Sequence, residues 1–164
     1  MIGIDAEIEK AKAELVKNIP TLTTYGRANL NERDEIGIVP EVLIYGTNEY
    51  KDVLIDTSID GLCFFVQEND IGISNRTYNN VEVSIYFAVN LKKLYPTVQE
   101  RATEYLHRDI LNSLRDGKFE VNSVTSGRSS FSDFAAEFVK IGDNMQPYYL
   151  CKVSTEIEYN INKC

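Results

Sequence analysis

The chain has 164 residues, 43% of them hydrophobic and 26% charged, enough apolar side chains for a core and too many for wholesale disorder. Its 17 Lys and Arg against 25 Asp and Glu give a net charge of −8, which disfavours a general affinity for nucleic acid, whose phosphates need a basic footprint. No apolar run is long enough to span a membrane, and the opening Met1 to Ile19 is charged and helical rather than signal-like.

In chain order, Asp5 is placed to cap a first helix with Ile4, Ile8, Ala11, Leu15 and Ile19 on one side and charged residues on the other, closed by Pro20. Thr21 to Ile38 has no clear period and reads as an exposed connection, with at most a short strand near Thr23 to Tyr25. Val39–Tyr45, Asp52–Asp56 and Leu62–Gln67 follow as strands of a meander, separated by the turn residues around Gly46 and Gly61. Glu68 to Asn80 is polar and reads as a loop or hairpin extension, a length that usually carries function.

The clearest element is the strand Val81–Leu91. Its odd-numbered residues are apolar, while Glu82, Ser84, Tyr86, Ala88 and Asn90 form a wetter face, as in a sheet covered on one side. Pro96 ends that ladder, and Thr97 with Glu100 predicts a capping box for a second helix, Thr97–Arg115, stopped by a left-handed Gly117. Phe119–Thr125 is a short strand, and Phe131–Ile141 is either strand or one or two helical turns. Tyr149–Ile161 alternates as a terminal strand. The pattern predicts one α+β domain spanning residues 1–164. Its sheet is mixed or antiparallel, the N-terminal helix and second helix pack on one face, and Val83, Ile85, Phe87, Leu106, Ile110, Leu111, Val153 and Ile157 lie in the core.

No residue pattern announces a reaction, so no catalytic, cofactor or metal residue is assigned. His107 is the only histidine and reads as a solvent-facing or helix-packing side chain, since a nucleophile relay would have to pass through it with no Ser or Cys nearby in sequence. Asp56 to Gly61 copies the opening of a calcium loop, but the twelfth position is Gln67, so a plain turn explains it. Cys63, Cys151 and Cys164 have no metal spacing; Cys63 and Cys151 read as buried small hydrophobes in a reducing compartment.

The segments Val81–Val89, Glu104–Leu114 and Val153–Tyr159, in the order helix, strands, long strand, helix, terminal strand, resemble the tail terminator and head-to-tail connector (neck) proteins of tailed bacteriophages. That resemblance implies a non-enzymatic virion protein, assembled in the bacterial host cytoplasm, that closes into a six-fold or twelve-fold homo-oligomeric ring. Portal, adaptor or tail-tube proteins would adjoin it, and DNA would pass through its channel without sequence-specific binding. Thr21–Ile38 and Glu68–Asn80 are then the expected subunit contacts, with Arg27, Arg33, Arg76 and Tyr78 as candidate interface residues. The alternatives are a small-molecule-binding or hydrolytic α+β domain and a bacterial adaptor domain.

Overall fold

The computed structural model of the chain describes residues 3–55, 57–69, 72–73, 78–135 and 147–160. The first element is α1 (Ile4–Asn18), whose Ile4, Ile8, Ala11 and Leu15 are buried along one stripe, as their spacing dictates. The pairs Glu7–Lys10, Glu9–Lys12 and Glu14–Lys17, each three residues apart, decorate its wet side. Asp5 does not cap this helix. Gly3 takes the capping position at φ 66°, and the Asp5 carboxylate turns to Arg27, still favourably placed near the positive end of the helix dipole.

The chain then enters β1 (Thr23–Arg33), β2 (Gly37–Leu43) and β3 (Tyr50–Asp52), an antiparallel meander in which Ala28 faces Val42 and Leu43 faces Tyr50. Thr21 to Ile38 is therefore mostly ladder, not an irregular connection. Its period is hidden because β1 has two partners. Thr23 to Arg27 pairs parallel with β4 (Gly61–Gln67) across an irregularity in register, and Ala28 to Arg33 pairs antiparallel with β2. The expected meander of three strands is also corrected at its end, because β4 leaves β3 and crosses to the other side of β1. Val53 and Ile55, expected in a strand, lie beyond β3 but are fully buried.

The long β6 (Tyr78–Asn90) pairs antiparallel with β4 and with β8 (Tyr148–Asn160), and β7 (Glu120–Ser126) pairs with the other side of β8. The strand order is β3-β2-β1-β4-β6-β8-β7, and the two-residue β5 (Gly72–Ile73) pairs with Asn79 and Asn80 at the start of β6. The described part of Glu68–Asn80 is thus a hairpin extension of β6. Since β1 and β4 run parallel, the class is α+β with a mixed sheet.

The second helix starts later than the sequence suggests. Asn90 accepts from the Lys93 N–H at 3.2 Å and caps a single turn, α2 (Leu91–Leu94), while α3 spans Ala102–Asp116. Thr97, Gln99 and Glu100 are exposed and lack the apolar contacts that would hold a helical turn there, so the Thr97–Glu100 box does not form. At the other end the left-handed residue is Lys118 (φ 66°), not Gly117. Phe119 N–H reaches Leu114 O at 2.8 Å and Lys118 N–H reaches Arg115 O at 3.0 Å, a Schellman stop shifted by one residue. Gly117 is needed for a different reason: a Cβ there would come within 3.1 Å of the Ala11 Cα. Ser113 sits on the same seam, donating to Asp109 O at 2.7 Å and accepting from Asn18 Nδ2 at 2.9 Å. Small residues let α1 and α3 pack side by side.

Leu111 is the one predicted core residue that fails. It is 39% exposed, because Leu106, Ile110, Ser113 and Leu114 already fill the inward stripe at about 3.6 residues per turn. The other seven are buried. Both helices cover one sheet face, over a core that includes Phe65, Val83, Ile85, Phe87, Cys151 and Val153.

The opposite face is not wet either. Ser84, Tyr86, Ala88 and Asn90 are buried, since a second core joins Phe64, Tyr86 and Leu150 to Val39, Val42, Val53 and Ile55 from the β1–β3 meander. The segment after β7 completes it: Arg128–Phe131 is a 3-10 turn, and Phe131 and Phe134 set their rings edge-on to Tyr86 at 5.2 and 4.9 Å. The rest of the expected Phe131–Ile141 element lies outside the described residues beyond Ala135.

The two leucines of α3 separate burial from hydrophobic periodicity. Leu106→Ala should lose about 2–5 kcal/mol in urea unfolding and Leu111→Ala about 1 kcal/mol or less. Gly117→Val should cost more than Leu111→Ala by pushing the helices apart.

Candidate functional site

Beyond β2 the chain forms a hairpin tip held by its own hydrogen bonds. Ile44 N–H donates to Glu49 O at 2.9 Å, Thr47 Oγ1 to Ile44 O at 3.0 Å, and Glu49 N–H to Thr47 Oγ1 at 3.1 Å, with Gly46 supplying φ 82°. This ordered tip is apolar outward. Tyr45 is 86% exposed, Tyr50 53% and Leu43 51%, with Ile44 beside them. The sequence already held the signal, an apolar Leu43-Ile44-Tyr45 run pressed against the Gly46 turn, but strand alternation alone hid it. Exposed side chains gathered in this way mark contact surfaces more often than chance.

The tip overhangs a cleft of about 320 Å³ lined by Ile8, Lys12, Gly26, Arg27, Leu43 and Tyr45, between α1 and β1. Joining β2 to β3, it sits at the β3 end of the sheet that runs β3-β2-β1-β4-β6-β8-β7. At the other end β7 is paired on one side only among the described residues, and every residue but Val121 is exposed. Glu120 is its single charge, and neither lysine nor proline guards its free row of N–H and C=O groups.

The four candidate interface residues fall in different settings. The guanidinium of Arg27 pairs with Asp5 at 3.0 Å and donates to Gln67 Oε1 at 3.0 Å. Arg33 holds Asp52 at 2.6 and 3.0 Å and also contacts Glu41, tying β1, β2 and β3 together. Both are engaged within the subunit. Tyr78 opens β6 opposite Asn160 and is partly exposed. Arg76 lies outside the described residues.

His107 is half-buried on α3 with Nε2 at 2.8 Å from the Tyr149 hydroxyl, a helix-to-sheet tie. In the calcium-like stretch Asp56 lies outside the described residues, Asp60 pairs with Lys93 at 2.5 Å, and Gly61 begins β4. Among the described residues no three His, Cys, Asp or Glu side chains gather as a metal site. Burial pushes the Cys63 thiol well above its ordinary range and the Cys151 thiol up to about 12, so neither is a thiolate nucleophile at neutral pH. Cys164 lies outside the described residues.

On the second sheet face Lys152 pairs with Glu68 at 2.8 Å and lies over the Tyr86 ring, 5.3 Å from its centre. Burial works against the Glu68 carboxylate, but bonds from Lys152 and Ser84 outweigh it and hold its pKa below the ordinary 4.5. Burial likewise disfavours the Lys152 ammonium, yet Glu68 and Tyr86 raise its pKa above 10.5. The arrangement closes the rim of the aromatic core and offers a substrate no free base. No protein-family model matches the chain, and no curated protein is significantly similar to it.

Because Glu68 is depressed, its contribution to stability is present above 4.5 and lost as pH falls through its folded value. Raised Lys152 contributes below 10.5 and loses that contribution as pH climbs through its folded value. Between about pH 5 and about pH 3, Glu68→Gln should therefore lose less stability than the wild type in urea titrations. Equal losses would show that the pair does not contribute to acid stability.

Proposed function

We propose that this chain is a ring-forming structural subunit of a tailed-phage particle, a tail terminator or head-to-tail neck protein, and not an enzyme. One observation carries the reading: the main sheet is unfinished at both ends, and the two ends differ. An apolar hairpin tip, joining β2 to β3, stands at the β3 end, and at the β7 end a strand edge is left unpaired among the described residues. A closed ring needs this asymmetry, since each subunit must offer two different surfaces that meet head to tail. Strand edges and protruding hairpins are the usual physical means of such contacts. The order of α1, the meander, the long β6, α3 and β8 supports the likeness drawn from the sequence.

In this reading the ring is six-fold or twelve-fold, sits between portal or adaptor and tail tube, and leaves a channel for DNA. The net charge of −8 suits a lumen along which DNA slides without sticking. The fold supplies a rigid body and the edges supply assembly.

Purified protein should show rings by negative stain and a ring-sized species in sedimentation velocity. Tyr45→Asp with Tyr50→Asp at one end, or Asn122→Lys with Val124→Lys at the other, should each dissolve the ring while far-UV dichroism stays unchanged. A wild-type monomer at every concentration, with and without candidate neck or tail-tube partners, would overturn the proposal.

A further inference from the structure

A second pair of matching surfaces lies away from the sheet edges. α2, the connection 95–101, the first turn of α3 and Pro147–Tyr149 enclose a cleft of about 560 Å³, large enough to take several side chains. Its walls are apolar at Leu91, Tyr95, Val98 and Pro147. Its rim carries Lys92 and Arg101, both exposed and without an ion pair among the described residues, beside Glu100 and, in the first turn of α3, Glu104, while Asp109 accepts from the Tyr95 hydroxyl at 2.9 Å. α3 begins there with no side-chain cap, so its first N–H groups add positive potential. Two cations without an ion pair beside an apolar cleft are unexpected on a chain of net charge −8.

Its complement is the turn joining β1 to β2. Glu32, Asp34 and Glu35 are exposed and have no ion pair among the described residues, while the one cation of the turn, Arg33, is neutralised by Glu41 and Asp52. Ile36 stands beside them 42% exposed, in a turn closed by its N–H to Arg33 O at 3.2 Å. Glu35 holds φ 71°, a conformation uncommon outside glycine and asparagine.

We infer that the β1–β2 turn of one copy docks in the α2–α3 cleft of the next, with Ile36 against Tyr95, Val98 and Pro147 and the carboxylates against Lys92, Arg101 and the start of α3. The occupant is a second copy because both halves of the match, cations without ion pairs on one and carboxylates without ion pairs on the other, each apolar at its centre, are carried by the same chain on different elements. Such a contact is heterologous, as ring closure demands. The inference rests on the ring reading and names a charge-matched contact within it.

Charge exchange tests it. Glu32→Lys with Asp34→Lys should abolish the ring in sedimentation velocity, and so should Lys92→Glu with Arg101→Glu. Combining all four changes in one chain should restore it, since each reversed turn then meets a reversed cleft. Raising salt should weaken the wild-type ring, because the paired charges lie near the surface. As a measurement free of folding effects, a zero-length carbodiimide cross-link on the wild-type ring should join Lys92 to Asp34 or Glu35 of another copy. Rings that persist in both double variants, or cross-linked rings without a Lys92 bridge, would overturn this contact and leave the ring reading standing. A wild type that never assembles would overturn both.

Discussion

The pairing of β6 with β8 is the constraint on which the rest depends. Two strands of 13 residues match without a slip from Tyr78 opposite Asn160 to Asn90 opposite Tyr148. A shift of one residue would exchange the faces of both strands, sending Val83, Ile85 and Phe87 away from the helices and Tyr86 and Ala88 towards them. Each face has a shape that fits only one register. The helix side is lined by aliphatic residues and Phe87, matched to Leu106, Ile110 and Leu114, while the other side receives the Phe64, Phe131 and Phe134 rings around Tyr86. Even the buried hydroxyl of Thr155 is accommodated in this register, donating to Val83 O at 2.7 Å.

The two faces are covered by different means, and that difference explains where the contact surfaces arise. α1 and α3 cover one face as whole elements, sealed to each other through Ala11, Ser113 and Gly117. The other face is covered by β2, the residues after β3, and the 3-10 turn, which are parts of longer excursions. Val42 and Val53 anchor the hairpin in the core, so its tip must continue past the edge of the sheet. The same holds for the turn after Arg33, since β1 and β2 are pinned at Ala28 and Val39 and extend beyond them. Protruding segments on a rigid base lose little further entropy on binding.

The sequence made legible those elements whose burial follows a single period. α1, β6, α3 from Ala102 onward and β8 follow from spacing alone, because each has one environment along its length. β1 was illegible because it changes partner midway, so neither half is long enough to show its alternation. The even-numbered side of β6 looked wet because Ser84, Ala88 and Asn90 are small or polar. Their sizes instead suit a face on which Tyr86 takes most of the room. Gly117 was assigned to handedness when helix spacing required it, and Leu111 to the core when the same close spacing selected Ser113. Local rules identified the residue types; which neighbour approached was tertiary information.

The candidate contacts were legible only as regions. Thr21–Ile38 was singled out for its polarity, and its arginines were chosen because arginine favours interfaces. Within the subunit both guanidiniums are already engaged: Arg27 braces α1 against the sheet through Asp5 and Gln67, and Arg33 cross-links three strands through Glu41 and Asp52. Removing Arg33 would leave Glu41 and Asp52 without their cation in the meander, and removing Arg27 would leave Asp5 of α1 without its own. Because these positive charges are satisfied internally, the groups left exposed are the carboxylates of the β1–β2 turn and the apolar side chains of Leu43, Ile36, Tyr45 and Tyr50. A segment first marked by its cations therefore presents, once folded, an acidic and apolar surface. In the proposed ring its complement lies where, among the described residues, cations have no ion pair, as at Lys92 and Arg101, and a strand has a free edge, as at β7.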